Sequence, residues 1–319
     1  MPKLSFVIPC YRSEKTISSV VEEIKSVVEQ HSGYEYEIIL VNDSSPDNVY
    51  DVIKALAKKD SCIKGVDLSK NFGQHSALMT GYRYAEGDII VCMDDDGQTP
   101  ANEVFKLIDK LNEGYDVVFA KYTDKKHSFV RNLGSKINDY MARALIGKPK
   151  ELAIMSYFCC RRFIVDEIIR YQNPYPYVSG LLLRSTNKIA NVEIEHRDRV
   201  EGTSGYTIKK LLALWLNGFT AFSVKPLRIA TCIGGASAFV GFAYGIYTII
   251  KKFVNPTVPM GFSSMMAAMV FFGGMNMIML GLIGEYIGRI YISMNNSPQY
   301  VIRERINIEQ SVENKGISL

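Results

Sequence analysis

Residues 1–120 alternate between short apolar runs and longer segments whose apolar residues recur at helical spacing. The apolar runs predict strands at Leu4–Ile8, Glu37–Val41, Ile63–Leu68, Asp88–Met93 and Asp116–Phe119. The segments between them predict helices at Glu14–Gln30, Asp47–Lys59, His75–Ala85 and Asn102–Asn112. This alternation predicts an α/β fold of Rossmann-like type, with a mainly parallel sheet and helices on both of its faces.

A different pattern begins near residue 229, where charged residues almost disappear. The run Ile229–Ile250 contains no charge and as a helix would be about 33 Å long, against about 30 Å of bilayer hydrocarbon. After two lysines, Phe253–Gly284 is again uncharged, and its apolar part starts at about Gly261. We predict two transmembrane helices, at about 229–250 and 261–284, because buried core helices of this length normally carry a polar stripe.

The chain therefore divides into four predicted parts. Residues 1–206 form the α/β domain, 207–226 an amphipathic helix at the lipid interface, 227–285 the transmembrane hairpin, and 286–319 a polar C-terminal tail. Basic residues flank the hairpin, whereas the loop between its helices has only two lysines, so both flanks are expected on the cytoplasmic side. The flanking basic residues are Lys209, Lys210, Lys225, Arg228, Arg289, Arg303 and Arg305.

Composition and motifs exclude several classes of protein. A net charge of +4 on 319 residues gives no domain-wide basic excess, so nucleic acid is not an expected partner. No GxGxxG motif follows the first strand, and Gly147-Lys148 is followed by proline, which disfavours a dinucleotide-binding domain and a P-loop. The six cysteines lack CxxC spacing, as expected in a reducing compartment.

The candidate chemistry lies directly after three predicted strands. These positions hold Pro9-Cys10-Tyr11, then residues 42–45 (Asn-Asp-Ser-Ser), then residues 94–98 (Asp-Asp-Asp-Gly-Gln). Ligands of parallel α/β sheets bind at the carboxyl ends of the strands. Adjacent carboxylates repel one another, and oxygen ligands at alternate positions of an extended segment suit Mg²⁺ or Mn²⁺ bound with a diphosphate. A solvated acidic turn is the alternative interpretation.

Several stretches together resemble one enzyme family. They are SFVIPCY at 5–11, VNDSSPDN at 41–48, LSKNFGQHSALMTGYRYAEGD at 68–88, MDDDGQTP at 93–100, HRDRVEGTSGYTIKKLLALW at 196–215, KPLR at 225–228 and GLIGEYIGRIY at 281–291. The chain resembles the inverting family 2 glycosyltransferases of GT-A fold. It is similar to their membrane-anchored polyprenyl-phosphate group, which includes dolichol-phosphate mannosyltransferases, bactoprenol glucosyltransferases and undecaprenyl-phosphate formamido-arabinose transferases.

The resemblance implies a role for each matching residue. The nucleotide pocket would be lined by Pro9, Tyr11, Glu14, Asp43, Asp94 and Asp95. Asp43 would accept a hydrogen bond from the base or ribose, and Asp95 takes the variable middle position of the triplet. The metal ligands would be Asp94, Asp96 and Gln98, and the residues at the reacting phosphates would be Asp96, Arg131, Arg199, Ser204 and Lys209.

The implied reaction is a metal-dependent, inverting transfer of a sugar from a nucleotide sugar, UDP-linked by expectation, to undecaprenyl phosphate. It would take place at the cytoplasmic face of the bacterial inner (plasma) membrane and serve cell-envelope glycan synthesis or modification. The protein would be multi-pass, in contact with the lipid bilayer, with both termini cytoplasmic. A phosphate monoester with a second pKa of about 6 is already largely dianionic at neutral pH, so the acceptor needs no strong general base.

The sequence departs from this family at one place and leaves alternatives open. The resemblance implies an Asp and an Arg where ungapped matching places Leu152 and Phe158 of this chain. Glu151 is adjacent, but the sequence does not show that it replaces the Asp, so the identity of the donor sugar is not carried over from the family. A degenerate scaffold that binds nucleotide and a glycosyltransferase with a non-lipid acceptor remain alternatives. The spacings Gly241-x-x-x-Gly245 and Gly284-x-x-x-Gly288 allow close helix packing, within the hairpin or in a homo-oligomer.

Overall fold

The computed structural model describes residues 1–122, 143, 149–195, 225–254, 261–295 and 297–308. The chain divides into two compact units, of which the first comprises Met1–Gly205 and Asn296–Leu319 and the second comprises Tyr206–Asn295. The first unit is therefore discontinuous in sequence, because the chain returns to it after the second unit.

Within the described part of the first unit, eight strands form one sheet in the order β7-β5-β6-β4-β1-β2-β3-β8. Strands β6 and β8 run antiparallel to their neighbours, and the other pairings are parallel. The mainly parallel sheet predicted from the sequence is thus confirmed. The strands are β1 (Lys3–Cys10), β2 (Glu35–Asn42), β3 (Ile63–Leu68), β4 (Ile89–Cys92), β5 (Val117–Tyr122), β6 (Phe158–Arg161), β7 (Ile189–Ile194) and β8 (Ile302–Ile306).

Helices cover the sheet because each presents a row of apolar residues to it. In α1, for example, Val20, Ile24 and Val27 recur at helical spacing and are buried in the same core as β1 and β2. The strands of the centre are apolar on both faces, as expected where helices pack on each side. Among the described residues of this unit the α-helices are α1 (Ile17–Glu29), α2 (Val49–Lys59), α3 (Gln74–Tyr84), α4 (Val104–Asn112), α5 (Arg162–Ile168) and α6 (Val178–Ser185).

The order of the strands creates a crevice between β1 and β4. Going outward from β1, the chain reaches β2 and β3 on one side and β4 on the other, so the connections leave in opposite directions at this point. Loops that follow two such strands diverge, and ligands of open α/β sheets bind between them. The loops after Cys10 and Cys92 occupy this position.

The C-terminal segment differs from the predicted polar tail. Ile302–Ile306 forms β8, which pairs antiparallel with β3 and closes that edge of the sheet. The sequence of this strand is Ile-Arg-Glu-Arg-Ile, and its two apolar residues are its first and last. Such a short edge strand needs little apolar surface, which is why hydropathy did not reveal it.

The second unit contains two long apolar helices, α7 (Lys225–Val254) and α8 (Phe262–Met294). Each includes a stretch long and apolar enough to cross a membrane, at Ala230–Tyr247 and Phe271–Ile292, and neither stretch is buried. The helix α8 extends ten residues past the predicted end at 284. The predicted interfacial helix at 207–226 lies outside the described residues, apart from Lys225 and Pro226 at the start of α7.

Candidate active site

The loop after β1 is joined to the loop after β4 by the middle aspartate of the triplet. The backbone N–H of Tyr11 donates to Asp95 Oδ2 at 2.8 Å, and the hydroxyl of Thr16 donates to the backbone carbonyl of Asp95 at 2.6 Å. Burial raises the pKa of Asp95, and its hydrogen bond from the Tyr11 amide acts in the opposite direction. The carboxylate of Asp95 therefore connects the loops on the two sides of the crevice.

The loop after β1 is also tied to the loop after β2. The N–H of Arg12 donates to Ser45 Oγ at 2.7 Å, and the N–H of Glu14 donates to Asp47 Oδ2 at 3.0 Å. In return, the N–H of Asn48 donates to Glu14 Oε2 at 3.2 Å. The predicted nucleotide-pocket residues Tyr11 and Glu14 thus lie on a loop that is bonded on both sides.

Asp43 lies at the base of the same edge and is almost fully buried. Its Oδ1 accepts from the N–H of Phe72 at 2.7 Å and its Oδ2 from the N–H of Gly73 at 2.8 Å. Gly73 has φ +89°, a left-handed conformation that glycine adopts without strain, and α3 begins at the next residue. Burial raises the pKa of Asp43, and the two amide hydrogen bonds partly offset this. Asp43 therefore fixes the start of α3, and its predicted contact with the base or ribose stays a prediction.

The three consecutive aspartates point to different partners. While Asp95 binds the Tyr11 amide, Asp94 Oδ1 accepts from Gln74 Nε2 at 3.2 Å and Asp94 Oδ2 accepts from the hydroxyl of Ser156. Asp96 Oδ1 accepts from the N–H of Gln98 at 3.1 Å. The triplet is therefore not a single acidic cluster, and among the described residues no three His, Cys, Asp or Glu side chains converge on a metal position.

The donor atoms nevertheless fit the predicted metal. Asp94, Asp96 and Gln98 supply two carboxylates and an amide at alternate positions, and all three side chains are half-buried at the carboxyl edge. Mg²⁺ and Mn²⁺ prefer such oxygen ligands, and Mg²⁺ usually takes only one or two carboxylates, with water and substrate phosphates completing the shell. Asp94 and Asp96 supply two carboxylates, and the carboxylate of Asp95 binds the Tyr11 amide instead, so the number of carboxylates matches what Mg²⁺ prefers.

Ser156 is a site residue that the sequence did not indicate. It lies in the segment 149–157, which Asn191 of β7 holds by accepting from the N–H of Ala153 at 2.7 Å and donating to the carbonyl of Ala153 at 2.8 Å. This contact depends on residues far apart in the chain, so no local pattern signals it. Gln74 is a second such residue, since its contact with Asp94 appears only once α3 and β4 are packed.

Leu152 and Phe158, the two positions expected to depart from the family pattern, are buried. Leu152 is 7% exposed and Phe158 is 2% exposed, whereas Glu151 is exposed. An apolar side chain can therefore pack at each position, whereas a charged side chain would have to leave the core to stay solvated.

His75, the second residue of α3, is neutral at physiological pH. Burial lowers the pKa of His75 to about 4, and its ring meets that of Tyr177 edge-on with 5.2 Å between the centroids.

The predicted phosphate-binding residues Arg131, Arg199, Ser204 and Lys209 lie outside the described residues.

Comparison with known families gives two matches. Residues 5–169 match glycosyl transferase family 2, and residues 225–290 match the GtrB C-terminal hairpin. The first match contains the crevice and the aspartate triplet, and the second contains most of α7 and α8.

Individual relatives cover nearly the whole chain. An uncharacterized glycosyltransferase of Bacillus subtilis, YkcC, is 31% identical over 96% of this chain and 94% of its own length. The undecaprenyl-phosphate 4-deoxy-4-formamido-L-arabinose transferase of Proteus mirabilis is 30% identical over 98% of this chain and 97% of its own length.

Solved structures share the fold over much of the chain. Glucosyl-3-phosphoglycerate synthase of Mycobacterium tuberculosis in complex with UDP superposes with a TM-score of 0.52 at 18% identity, covering 69% of this chain and 79% of the synthase. Its complex with Mn²⁺ and UDP-glucose gives 0.51 at 19% identity over 69% and 77%. With its strand order, its strand-end carboxylates and these matches, the chain belongs to glycosyl transferase family 2, in the GT-A fold.

Proposed function

We propose that this protein transfers a sugar from a nucleotide sugar of the UDP-linked class to undecaprenyl phosphate, with inversion at the anomeric carbon. The observation that carries the proposal is the meeting of three strand-end loops at the β1/β4 crevice, with Asp94 and Asp96 on one of them. The named transferase of Proteus mirabilis, similar over almost its full length, supports the lipid phosphate as acceptor.

The residues of the crevice would divide the binding of the donor between them. Tyr11, a residue that is 44% exposed, would offer its ring as a surface for the nucleoside, with Pro9, Glu14 and Asp43 around it. Asp94, Asp96 and Gln98 would hold Mg²⁺ or Mn²⁺ beside the diphosphate. When bound, the metal neutralises the charge that builds up on the leaving nucleoside diphosphate. The presence of Mn²⁺ and UDP-glucose in the mycobacterial synthase is consistent with this donor class.

The displacement itself requires little acid–base catalysis by the protein. A phosphate oxygen of the acceptor, dianionic at neutral pH, attacks the anomeric carbon while the bond to the diphosphate breaks. Because no proton has to be removed, the main task of the side chains is to hold both phosphates in line. Arg131, Arg199, Ser204 and Lys209 are the proposed contacts to phosphate oxygens, through charge-assisted hydrogen bonds for the three basic residues.

The second unit would place this reaction at a membrane. The apolar stretches of α7 and α8 are not buried, and each is long enough to cross the hydrocarbon core once. We propose that they span the bacterial inner membrane with both termini and the first unit on the cytoplasmic side, where basic flanking residues are enriched. A homo-oligomer is not needed for this arrangement, because Gly241 of α7 faces Phe272 of α8: a Cβ added to Gly241 would lie 3.7 Å from Phe272 Cζ, at ordinary van der Waals distance.

A donor screen tests the proposal. Purified full-length protein is incubated with undecaprenyl phosphate, Mn²⁺ or Mg²⁺, and a panel of radiolabelled UDP- and GDP-sugars, and labelled lipid is measured. We expect lipid product with a UDP-sugar. Binding of nucleotide without product from any donor would favour the scaffold, and transfer only to a water-soluble acceptor would favour the alternative glycosyltransferase.

A substitution at the triplet tests the metal assignment within the same assay. Asp96→Ala is expected to lower transfer by about 10²-fold or more, because a metal ligand is lost at the leaving group. Asp109→Ala is the matched control, since Asp109 is exposed on α4, and it should leave transfer unchanged. Full turnover by Asp96→Ala would show that the metal assignment is wrong.

A further inference from the structure

The segment that follows α8 is firmly attached to the first unit. Besides the pairing of β8 with β3, Gln299 donates its amide to two carbonyls of the loop after α5, at 3.2 and 3.0 Å. The carbonyl of Val301 accepts from the N–H of Ser69 at 2.8 Å, and Asn307 donates to the carbonyl of Ala57 at 2.7 Å. These contacts hold residues 299–307 in one position along the edge of the sheet.

Arg303 of this segment starts a row of hydrogen bonds that runs across two strands. One guanidinium nitrogen lies 3.3 Å from Asp67 Oδ2, and the other donates to the carbonyl of Ser69 at 2.8 Å. Asp67 is buried near the end of β3, and its Oδ1 accepts from Asn42 Nδ2 at 2.7 Å. Asn42 is the buried last residue of β2, and its Oδ1 accepts from the N–H of Ser45 at 3.0 Å.

The row ends on two turns with strained backbone. Arg12 has φ 60° and Ser44 has φ 49°, in the left-handed region that residues with a Cβ rarely adopt. Conformations of this kind persist only where the surroundings hold them. Ser45 does so for both turns, because its own N–H is fixed by Asn42 and its Oγ accepts from the N–H of Arg12.

The orientation of the Asn42 amide makes the row directional. An asparagine amide has one acceptor end and one donor end, so Asp67 can accept only from the nitrogen, and this leaves the oxygen facing Ser45. Arg303 in turn compensates the buried charge of Asp67. Without the guanidinium, Asp67 loses its cationic partner, and the restraint on the amide of Asn42 weakens.

From this geometry we infer that Arg303 is a positioning residue for the nucleotide-binding turns, acting through Asp67 and Asn42 on Ser44, Ser45 and Arg12. The inference rests on the proposed function in one respect only, that these turns bind the donor nucleotide. It assigns a role in donor binding to a residue that follows the second apolar helix in sequence.

Hydrogen–deuterium exchange of the nucleotide-free, full-length protein in detergent tests the positioning directly. In Arg303→Met, we expect the amides of residues 12 and 45 to exchange about tenfold faster than in the wild type, as local opening becomes easier. Arg305→Met removes the same charge two residues along β8 and should leave these amides unchanged. Arg303→Lys should recover part of the protection, because an ammonium still reaches Asp67 but does not bind Ser69 in the same forked geometry.

Binding of UDP in the presence of Mn²⁺, measured by calorimetry on the same variants, tests the consequence. We expect Arg303→Met to raise the Kd about fivefold to tenfold with recovery in Arg303→Lys, and the donor KM to rise with a much smaller change in kcat. Failure of the wild type to bind any nucleotide would contradict the proposed function, while the exchange result would still decide the positioning. Unchanged exchange at residues 12 and 45 in Arg303→Met, or equal loosening in Arg305→Met, would overturn the inference.

Discussion

The buried carboxylate of Glu37 gives the sharpest test of what stabilises the sheet. It lies in β2, at the edge opposite the crevice, and is 2% exposed. Its Oε1 accepts from the hydroxyl of Ser5 at 2.5 Å and from the N–H of Glu86 at 2.6 Å. Its Oε2 lies 3.1 Å from Lys3 Nζ and 2.8 Å from Lys64 Nζ. The substitution Glu37→Gln keeps the shape and Oε1 but replaces the second oxygen with an NH₂ group that faces two ammonium groups.

The expected loss is about 2–3 kcal/mol. Breaking a buried ion pair by removing one partner costs about 3–5 kcal/mol, and here the cost is lower because Glu86 still pairs with both lysines. For a unit of roughly 150–250 residues, each kcal/mol lowers the Tm by about 2–4 °C, so scanning calorimetry should show a fall of about 5–10 °C. The control is Glu193→Gln, which breaks an exposed cross-strand pair with Lys121 and should change the Tm by about 2 °C at most.

The pH dependence provides a second readout of the same group. Burial alone raises the pKa of Glu37, but hydrogen bonds from Lys64, Ser5 and the Glu86 amide outweigh it and hold the pKa below its usual value. Hydrogen bonds from Lys64 and Lys3 lower the pKa of Glu86 to about 2. A carboxyl whose pKa falls on folding stabilises the native state above its unfolded pKa of about 4.3, and this is lost as pH falls toward the folded value. The wild type should therefore lose stability between about pH 5 and 2 more steeply than Glu37→Gln. A Tm within about 2 °C of the wild type, or an equal pH slope, would refute this account.

Three further predictions concern packing and the site. Gly81→Ala should lower the free energy of unfolding by about 1–3 kcal/mol in denaturant titrations, because the added methyl would overlap Val7 Cγ1 and lie 3.3 Å from Val41 Cγ2; unchanged stability would show that α3 is not packed so closely. Ser156→Ala should raise the Mn²⁺ concentration for half-maximal transfer about tenfold, because Asp94 loses a hydrogen bond that orients it, and an unaltered metal titration would contradict this. Leu152→Asp, which introduces the residue that the family resemblance implies at this position, should lower the Tm by at least about 5 °C without raising transfer, because it buries an unpaired carboxylate. Higher activity would refute the core placement of Leu152.

The parts of the fold that the sequence predicted are those with strong local patterns. The strands β1 to β4 are apolar runs bounded by turn residues, and their predicted limits agree with the structure to within a few residues. The strand β8 was not predicted, because Ile302 and Ile306 are separated by three charged residues and resemble a polar tail. Its position depends on pairing with a strand more than 230 residues earlier, which no local pattern encodes.

The candidate site divides in the same way. Asp94, Asp96 and Gln98 follow one strand and could be selected from a single stretch of sequence. The separate orientation of Asp95 could not be predicted, because it depends on an amide in the loop after β1. Ser156 reaches the site only through tertiary packing, with its segment held by Asn191. The burial of Leu152 and Phe158 likewise appears only in the folded chain.

Because the edge strand β8 follows both apolar helices in sequence, the sheet can be completed only after the ribosome has synthesised both helices. Residues 302–306 are synthesised after both apolar helices, so the outer edge of β3 remains unpaired while the rest of the sheet is already made. An unpaired strand edge is a template for association with other chains, and a contact between elements so far apart in sequence forms slowly. A chain that stalls within the apolar helices would therefore expose the unpaired edge of β3, and the sheet is complete only after both helices have been synthesised.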